Sequence, residues 1–384
     1  MEYQNAGKIL PQELLRQIQQ YFQGGYLYIP KSGSLFTADR RTDYQAELDN
    51  RNRHIYHKHL QGWTSGRLAE HYSLSPSSIR RILQTQRKEA QAMDTIISEI
   101  LPCWGLEAQS IFRRDESIWE IGGNYILKAY RDLPSLERNA QILTALHESG
   151  IPAARVVPAA PECAYVAREG RFYLLTSRLE GRPYQGKVTE SAARTMGKTL
   201  AQLHQAFLTC QDKLTLWDNS LLQELSGWIL EQLAADGWKL LPEAVFREIY
   251  SALEGLYPGL QVQMIHRDVH FGNFLFSGSI LSGYIDFDLS QKNIRIFDLC
   301  YFLAGLLAHE TGADLALPWS RLLEVTVDAY HNLNPLSGEE RAAIPLVMQA
   351  IELLFAAYYL SIQDRVCAED AVRVLYRIRE ELAL

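Results

Sequence analysis

Several features that would place this chain in a specialised class are missing from its sequence. The five cysteines are scattered and never spaced as C-x-x-C, which argues against a disulfide framework or a zinc site and for reduced thiols. No apolar run approaches the length of a membrane span, and the first residues lack the basic-then-apolar pattern of a signal peptide. We therefore expect a cytoplasmic protein with no membrane partner.

The length and the distribution of charge indicate more than one domain. A chain of 384 residues, 47% hydrophobic and 22% charged, is longer than one ordinary globular core requires. Residues 1–95 carry 13 Lys and Arg against 9 Asp and Glu, whereas the rest carries 25 against 36. A mildly basic front part thus precedes an acidic body, within a net charge of −7.

One stretch of the acidic body carries recognisable chemistry. Residues 266–273 read H-R-D-x-x-x-x-N, and an apolar hairpin then returns the chain to Asp286. Phosphoryl transfer needs an aspartate that receives the proton of the acceptor hydroxyl, and oxygen ligands for magnesium. Asp268 fits the first role. Asn273 and Asp286, with Asp288 as a further carboxylate, fit the second.

This stretch resembles the catalytic loop and the metal-binding aspartate of protein-kinase-like enzymes. His270 and the absence of a later A-P-E segment place the resemblance in the small-molecule branch, the aminoglycoside phosphotransferase family with its homoserine-kinase-like and choline-kinase-like relatives. It covers residues 96–384. The resemblance implies an α+β, bilobal fold with a β-rich amino lobe and a helical carboxyl lobe. It also implies ATP or GTP, Mg²⁺ and a small hydroxylated acceptor.

The resemblance also suggests how the loop is supported. Asp298 would brace the loop, and its position at the start of a helix predicts in addition an N-terminal cap. His266 is a candidate catalytic residue with Asp268, and we expect it to act as a buttress of the loop rather than as a proton carrier. His204 is expected to be a structural hydrogen-bonding residue.

The nucleotide site is predicted upstream of this loop. Three β-rich runs are expected, at residues 108–114, 118–121 and 124–130. Lys128 lies in the third run and corresponds to the strand lysine that grips the α- and β-phosphates. The loop before the second run contains no glycine, so Ser117 would contact the phosphates. Residues 177–181 are the predicted hinge, where the backbone at Ser177 and Leu179 would bind the purine edge.

The sequence leaves the ion-pair partner of Lys128 undetermined. Protein kinases have a glutamate for it on the next helix, which we predict over residues 136–149. The apolar stripe of that helix puts Asn139 at the glutamate position. Glu137 lies two residues away and faces elsewhere, unless the helix begins in a shifted register. The lysine therefore pairs either with Glu137 or with no helix residue.

Residues 63–83 predict a helix-turn-helix. Ser75 is the expected N-cap of the second helix, with Pro76 at the first helical position. Inward-facing positions are Ile79, Ile82 and Leu83. The positions left outward, as on a helix that reads a DNA groove, include Ser77, Ser78, Arg80 and Arg81. The same pattern also fits a helical hairpin that touches no DNA. A separate linking helix is expected over residues 88–99.

The segments at residues 21–31, 51–55 and 68–82 together resemble the Mor/C phage transcription-activator family. That resemblance implies a homodimer, paired through the N-terminal helix-strand segment, and double-stranded DNA as a partner of residues 63–87. The domains are then a mostly helical helix-turn-helix domain at 1–92, an amino lobe at 93–180 and a helical carboxyl lobe at 181–384.

Together these patterns predict a phosphotransferase, dependent on ATP or GTP, that phosphorylates a hydroxyl of a small molecule and is fused to a DNA-binding module. The alternative is a transcription regulator whose kinase-like part senses a ligand without turnover. The acceptor is not readable from the sequence. The surplus of acidic residues suits a cationic acceptor, such as an aminoglycoside or an amino alcohol, and this is an analogy of fold.

Overall fold

A computed structural model describes residues 39–60, 62–72, 74–107, 109–115, 117–161, 163–278, 280–308 and 314–383. The predicted N-terminal helix-strand segment, and with it the proposed dimer contact, lies outside the described residues. The chain divides into two compact units, Met1–Ala92 and Met93–Leu384, and each is described here by itself.

The first unit has the expected helix-turn-helix. Its helices are α1 (Asp39–Leu60), α2 (Ser65–His71) and α3, which begins at Pro76 and ends at Ile100. The Ser75 hydroxyl accepts a hydrogen bond from the backbone N–H of Ser78 at 3.1 Å, so the predicted N-cap is confirmed. The unit has its own apolar core, formed by Ile55, Tyr56, Leu68, Ala69, Ile79, Ile82 and Leu83.

The separate helix expected over residues 88–99 is wrong as a separate element. Helix α3 is continuous for 25 residues, Pro76–Ile100. Residues 84–99 contain neither Gly nor Pro and are rich in Gln, Lys, Glu and Ala, all of which favour a helix. Nothing in this stretch ends a helix, so the change from polar to apolar residues marks a change of surroundings and not a break.

The second unit opens with an antiparallel sheet. Its strands are β1 (Ile111–Asp115), β2 (Ile118–Ile121), β3 (Tyr125–Tyr130), β4 (Val156–Val157), β5 (Tyr165–Arg168) and β6 (Arg171–Ser177), with helix α4 (Leu133–Glu148) between β3 and β4. The order in the sheet is β1-β2-β3-β6-β4, and β5 also pairs with β6. The three predicted strands are present. The first of them begins at Ile111, three residues later than predicted. One face packs on a small core that includes Trp119, Leu127 and Tyr173.

The rest of the second unit is mainly helical. Its helices are α5 (Glu190–Cys210), α6 (Leu221–Glu224), α7 (Leu230–Ala235), α8 (Glu243–Leu256), α9 (Ile296–Gly305), α10 (Trp319–His331), α11 (Gly338–Ser361) and α12 (Arg365–Glu381). Its strands are β7 (Arg182–Pro183), β8 (Val262–Ile265), β9 (Phe274–Ser277), β10 (Ile280–Tyr284) and β11 (Gln291–Ile294). Strand β9 pairs with β10 and β7, and β8 pairs with β11. The β9–β10 hairpin and the β8–β11 pair place the loop between β8 and β9 beside the loop between β10 and β11.

Helix α11 corrects one expectation. It is long and apolar enough to cross a membrane by length and composition, although no such run was expected. Most of it, 61% of its most apolar window, is buried within the protein, where it packs against α8, α9 and α12. Ser337 and Glu340 form a capping box at its start. These contacts are those of the central core helix of a helical lobe.

Candidate active site

The loop between β8 and β9 carries Asp268. Arg267, just before it, has a φ of +71°, a conformation that side-chain-bearing residues rarely adopt. Such a conformation persists only where the surroundings hold it, and strained residues of this kind cluster at functional sites. Asp286, on the neighbouring loop, is a second case with a φ of +64°.

Asp298 holds the backbone of this loop. Its two carboxylate oxygens accept hydrogen bonds from the backbone N–H groups of His266 and Arg267, both at 2.7 Å. The His204 Nε2 atom lies 3.0 Å from the same carboxylate, and its Nδ1 lies 2.7 Å from the Tyr330 hydroxyl. Asp298 makes no capping hydrogen bond to helix α9, so the predicted cap is wrong and the brace is what the structure contains.

His266 and Ile285 join the two loops. The His266 ring is fully buried, and its Nε2 lies 2.9 Å from the carbonyl oxygen of Ile285. The backbone N–H of Ile285 in turn donates to the carbonyl oxygen of Asn273 at 3.0 Å. Asp286 therefore directly follows Ile285, whose backbone is hydrogen-bonded to the Asp268 loop. The contacts of His266 are those of a buttress.

Three side chains surround the Asp268 carboxylate. The Tyr301 hydroxyl donates to Oδ1 at 2.8 Å, the Asn273 amide donates to Oδ2 at 2.9 Å, and the His270 Nε2 lies 3.6 Å from Oδ2. Burial by itself would raise the pKa of Asp268, but the hydrogen bond and charge of His270, with the Tyr301 hydroxyl, lower it to about 2. Asp268 is therefore ionised at neutral pH and fixed in direction.

Tyr301 was missed by sequence reasoning. It lies three positions after Asp298 on α9, so the two side chains share one face of the helix. A brace at Asp298 therefore brings the residue one turn later to the same loop. That spacing was the available signal, but it becomes informative only once α9 is known to pack under the loop.

The predicted metal ligands fall into two groups. Asn273 uses its amide nitrogen on the Asp268 side chain and on its carbonyl oxygen, both at 2.9 Å, which leaves its amide oxygen free to bind a metal. Asp286 and Asp288 both form ion pairs with Lys128. In the described parts of the chain no group of three His, Cys, Asp or Glu side chains could hold a metal. The candidate set is therefore two carboxylates and one amide oxygen, donors that suit Mg²⁺.

Lys128 is held by the carboxylates of the second loop. Its Nζ donates to Asp286 Oδ1 at 2.9 Å and contacts Asp288. Burial would lower the pKa of Lys128, but the charges of Asp288 and Asp286 outweigh it and the pKa is raised. Glu137 is exposed on α4 and forms no ion pair with Lys128 in the described chain.

Asn139 has a partner that the sequence did not suggest. It is 5% exposed, and its amide nitrogen donates to the Tyr130 hydroxyl at 2.8 Å and contacts Asp288. The Tyr130 hydroxyl donates to Asp288 Oδ1 at 3.1 Å. Where a protein kinase has a glutamate for the lysine, this chain has an amide that holds the carboxylate binding the lysine. Helix α4 begins at Leu133 with Asp132 as its cap, three residues before the expected start.

The remaining residues predicted for the nucleotide site differ in whether their backbone groups already have hydrogen-bond partners within the protein. Ser117 lies in the turn between β1 and β2, and its carbonyl oxygen accepts from the Ala129 N–H at 2.8 Å. The Ser177 N–H donates to the Arg155 carbonyl at 2.8 Å, and the Arg155 N–H donates to the Ser177 hydroxyl, so this residue is already bonded. In the described chain no hydrogen bond involves the Leu179 backbone. Leu179 is thus the better placed of the two for a purine edge.

The candidate DNA-binding residues lie on α3 of the first unit. Ser77, Arg80 and Arg81 are exposed and Ser78 is half-buried, whereas Ile79 between them is fully buried. The Ser77 and Ser78 hydroxyls lie 2.8 and 2.9 Å from the Ser75 hydroxyl. The serines therefore belong to the cap, whereas the two arginines lie on the exposed face, where Arg80 Nε donates to the carbonyl oxygen of Pro76 at 3.3 Å.

The fold and the site define a bilobal, protein-kinase-like protein. The chain belongs to the phosphotransferase enzyme family, whose family model matches residues 102–336, more than half of the chain. A model of the Mor transcription activator family matches residues 2–95. Both resemblances drawn from the sequence are confirmed.

Two curated relatives and two solved structures show the range of the likeness. A homoserine kinase of Rhizobium etli (strain CIAT 652) is 31% identical over 192 residues, 48% of this chain and 56% of that protein. One of Phenylobacterium zucineum (strain HLK1) is 29% identical over 171 residues, 44% of this chain and 50% of that protein. The chain therefore spans about half the length of each curated relative.

Among solved structures, an amicoumacin kinase in complex with AMP-PNP, Ca²⁺ and Ami aligns with a TM-score of 0.53 and 16% identity, over 71% of this chain and 88% of that one. The GDP complex of an aminoglycoside 2′-phosphotransferase aligns with a TM-score of 0.57 and 12% identity, over 76% and 98% of the two chains. At these identities the likeness is one of fold.

Proposed function

We propose that the second unit is a small-molecule kinase that transfers the γ-phosphoryl group of ATP or GTP to a hydroxyl of its acceptor. The observation that carries this proposal is the link at Ile285, which ties the Asp268 loop to the loop of Asp286. An acceptor-binding carboxylate, a metal-binding pair and Lys128 thereby belong to one site. Protein-kinase-like catalysis needs this combination of groups.

Asp268 is the catalytic residue of the proposal. Its carboxylate orients the acceptor hydroxyl and receives its proton as the oxygen–phosphorus bond forms and the nucleoside diphosphate leaves. A carboxylate with a pKa of about 2 is a weak base, so it takes the proton late, once the phosphoryl group has largely transferred. Tyr301 and Asn273 keep it pointed at the acceptor.

The nucleotide is held by residues of the other loop and of the sheet. Asn273, Asp286 and Asp288 are the proposed ligands of Mg²⁺, which when bound neutralises charge on the phosphates. Lys128 holds the α- and β-phosphates, Ser117 lies beside them, and the hinge backbone near Leu179 binds the purine. Since Lys128 is paired with both aspartates here, nucleotide binding exchanges those partners.

The domain limits are part of the same proposal: 93–180 as the amino lobe and 181–384 as the carboxyl lobe. The acceptor is a small hydroxylated molecule, and the scattered cysteines support a cytoplasmic location. The test is Mg²⁺-dependent consumption of ATP and GTP by the full chain against a panel of amino alcohols and antibiotics. Stimulation by an acceptor is the expected result, and its absence across the panel with both nucleotides contradicts a kinase.

We also infer that residues 1–92 bind double-stranded DNA as a homodimer, with α3 as the reading helix. The match to the Mor family over residues 2–95 and the exposed Arg80 and Arg81 support this inference. Selection from a random duplex library should enrich a palindrome, and binding should weaken between about 50 and 200 mM salt. If no palindrome is enriched, or if R80A/R81A binds as well as wild type, the unit is a dimerisation or docking module.

The rival function is a regulator whose kinase-like unit senses a ligand. It would show acceptor-dependent DNA binding with no nucleotide turnover. The joint presence of Asp268, Asn273, Asp286 and Lys128 speaks against it, because a sensor has no need of all four together.

A further inference from the structure

A cavity of about 610 Å³ opens beside the Asp268 loop. The residues next to Asp268, from Val269 to Gly272, form one wall, and Tyr301, whose hydroxyl binds the Asp268 carboxylate, forms another. Helices α11 and α12 close the far side. A volume of this size accommodates a small-molecule ligand. The cavity therefore places an acceptor next to the proposed catalytic carboxylate.

Among the described residues, most of the wall is apolar and aromatic, and two carboxylates line it. Asp370, on α12, is ion-paired with Arg373. Glu352, on α11, is the other, and the residue is 4% exposed. Within the described chain no hydrogen bond or cation offsets its burial, which is the one cause that raises the pKa of Glu352, to about 8.

A lone buried carboxylate is costly because charge is removed from water without a partner. A cationic group in the cavity removes that cost by forming a charge-assisted hydrogen bond. Glu352 also lies close enough to Tyr301 to act on it. Burial, Asp268 and, more weakly, Tyr359 and Glu352 all raise the pKa of the Tyr301 hydroxyl. The unpaired carboxylate thus lines the same cavity as Tyr301, whose hydroxyl donates to the catalytic carboxylate.

We propose that Glu352 binds the ammonium group of the acceptor, and that the acceptor is an amino alcohol with one ammonium group and an apolar body. This inference rests on the proposed phosphoryl transfer at Asp268, which supplies the hydroxyl end of the pocket. The apolar body lies against Phe302, Phe355 and Val374. A polycationic aminoglycoside fits less well, because its further ammonium groups would meet an aromatic and aliphatic wall whose described residues include no second unpaired carboxylate.

The test is direct binding by calorimetry at about pH 8, without nucleotide, so that it does not depend on turnover. The probes are phenylalaninol, the matched alcohol phenylpropanol that lacks the amine, and kanamycin. Wild type should bind phenylalaninol about 10- to 100-fold more tightly than phenylpropanol, the usual value of a hydrogen bond to a charged group. Kanamycin should bind more weakly than phenylalaninol.

Glu352→Gln keeps the shape of the side chain and removes its charge, so it should abolish the preference for the amine. Glu339→Gln is the matched control, because Glu339 lies exposed on the same helix and away from the cavity. It should bind both probes as wild type does. Asp268→Asn should still bind phenylalaninol while transferring phosphate about 10²–10⁴-fold more slowly than wild type.

The proposal is overturned if wild type binds phenylpropanol as tightly as phenylalaninol, binds kanamycin more tightly, or binds no phenylalaninol. An amine preference that persists in Glu352→Gln also overturns it. The wild-type comparison needs no variant, so a fold defect in Glu352→Gln leaves the test decisive. Failure of the kinase function itself is a separate result: phenylalaninol binds through Glu352, but no acceptor stimulates nucleotide consumption.

Discussion

The Asp268 loop and the Asp286–Asp288 segment lie side by side, yet they are held in opposite ways. The first loop is fixed by buried partners that belong to the protein alone: Asp298 on its backbone and His266 beneath it. In the second, the side chains of Asp286 and Asp288 are 41% and 30% exposed and share one lysine, and Asp288 alone is also held by the buried Asn139 and Tyr130. In the proposed kinase, the acceptor side would therefore be built in advance, whereas Lys128 and its two aspartates on the nucleotide side would exchange partners when a ligand binds.

The largest effect is expected at the centre of the pre-built loop. Asp268→Asn should lower kcat by about 10²–10⁴, the range for a positioned general base, and leave the nucleotide Kd almost unchanged. Steady-state kinetics with nucleotide-binding calorimetry checks both numbers. A parallel loss in kcat and in nucleotide affinity would mean that the two segments are one coupled structure.

The second prediction compares how much a substitution in each segment lowers the free energy of unfolding. Asp298→Ala leaves two buried backbone N–H groups and His204 without their shared acceptor, so it should cost about 3–5 kcal/mol of unfolding free energy. Asp286→Asn should cost less than about 1 kcal/mol, because the ion pair is partly exposed and Asn tolerates a positive φ. Urea unfolding of the two variants measures the difference. Equal losses would show that both segments are held alike.

Glu352 should make stability depend on pH. Its pKa in the folded protein is about 8 against 4.5 for an ordinary glutamate. Between these values the unfolded chain releases the proton that the folded protein keeps, so stability falls as pH rises. The loss should approach about 3 kcal/mol between about pH 5 and 7.

Glu352→Gln should remove this slope. The cavity is also lined by other titratable residues, whose effects are common to both proteins: Tyr184, His270, Tyr301, Tyr359, Cys367 and Asp370. The difference between the two unfolding curves therefore isolates Glu352. If the difference in unfolding free energy between the two proteins does not grow with pH, Glu352 is not neutral and buried in the folded protein.

The smallest effect separates the two possible partners of Lys128. Lys128→Ala should reduce kcat/KM at least about tenfold more than Glu137→Ala, because Glu137 is exposed and the lysine pairs with Asp286 and Asp288. Comparable losses in the two variants would mean that Glu137 approaches the lysine in the nucleotide complex.

Local patterns predicted the parts of this protein whose structure depends on local chemistry. Ser75 caps its helix because a serine before Pro76 has a partner within one turn. The strand around Lys128 follows from its own β-rich residues. The H-R-D-x-x-x-x-N pattern locates one loop without any knowledge of its neighbours.

What the sequence did not disclose depends on packing between distant segments. Asn139 was identified as the residue in place of the glutamate, but its contact with Asp288 joins residues 149 positions apart. Tyr301 reaches Asp268 only because α9 passes under the loop. Glu352 sits in an apolar helix, where a glutamate gives no sign that it faces a cavity rather than a partner.

The most direct test of the account is phosphorus NMR of the reaction products. Full-length protein would be incubated with phenylalaninol, Mg²⁺ and ATP or GTP, and compared with Asp268→Asn. The account predicts a new phosphomonoester of phenylalaninol with wild type and almost none with the variant, together with the nucleoside diphosphate. Inorganic phosphate and the nucleoside diphosphate as the only phosphorus products of wild type, or an equal yield of the ester with Asp268→Asn, would contradict it.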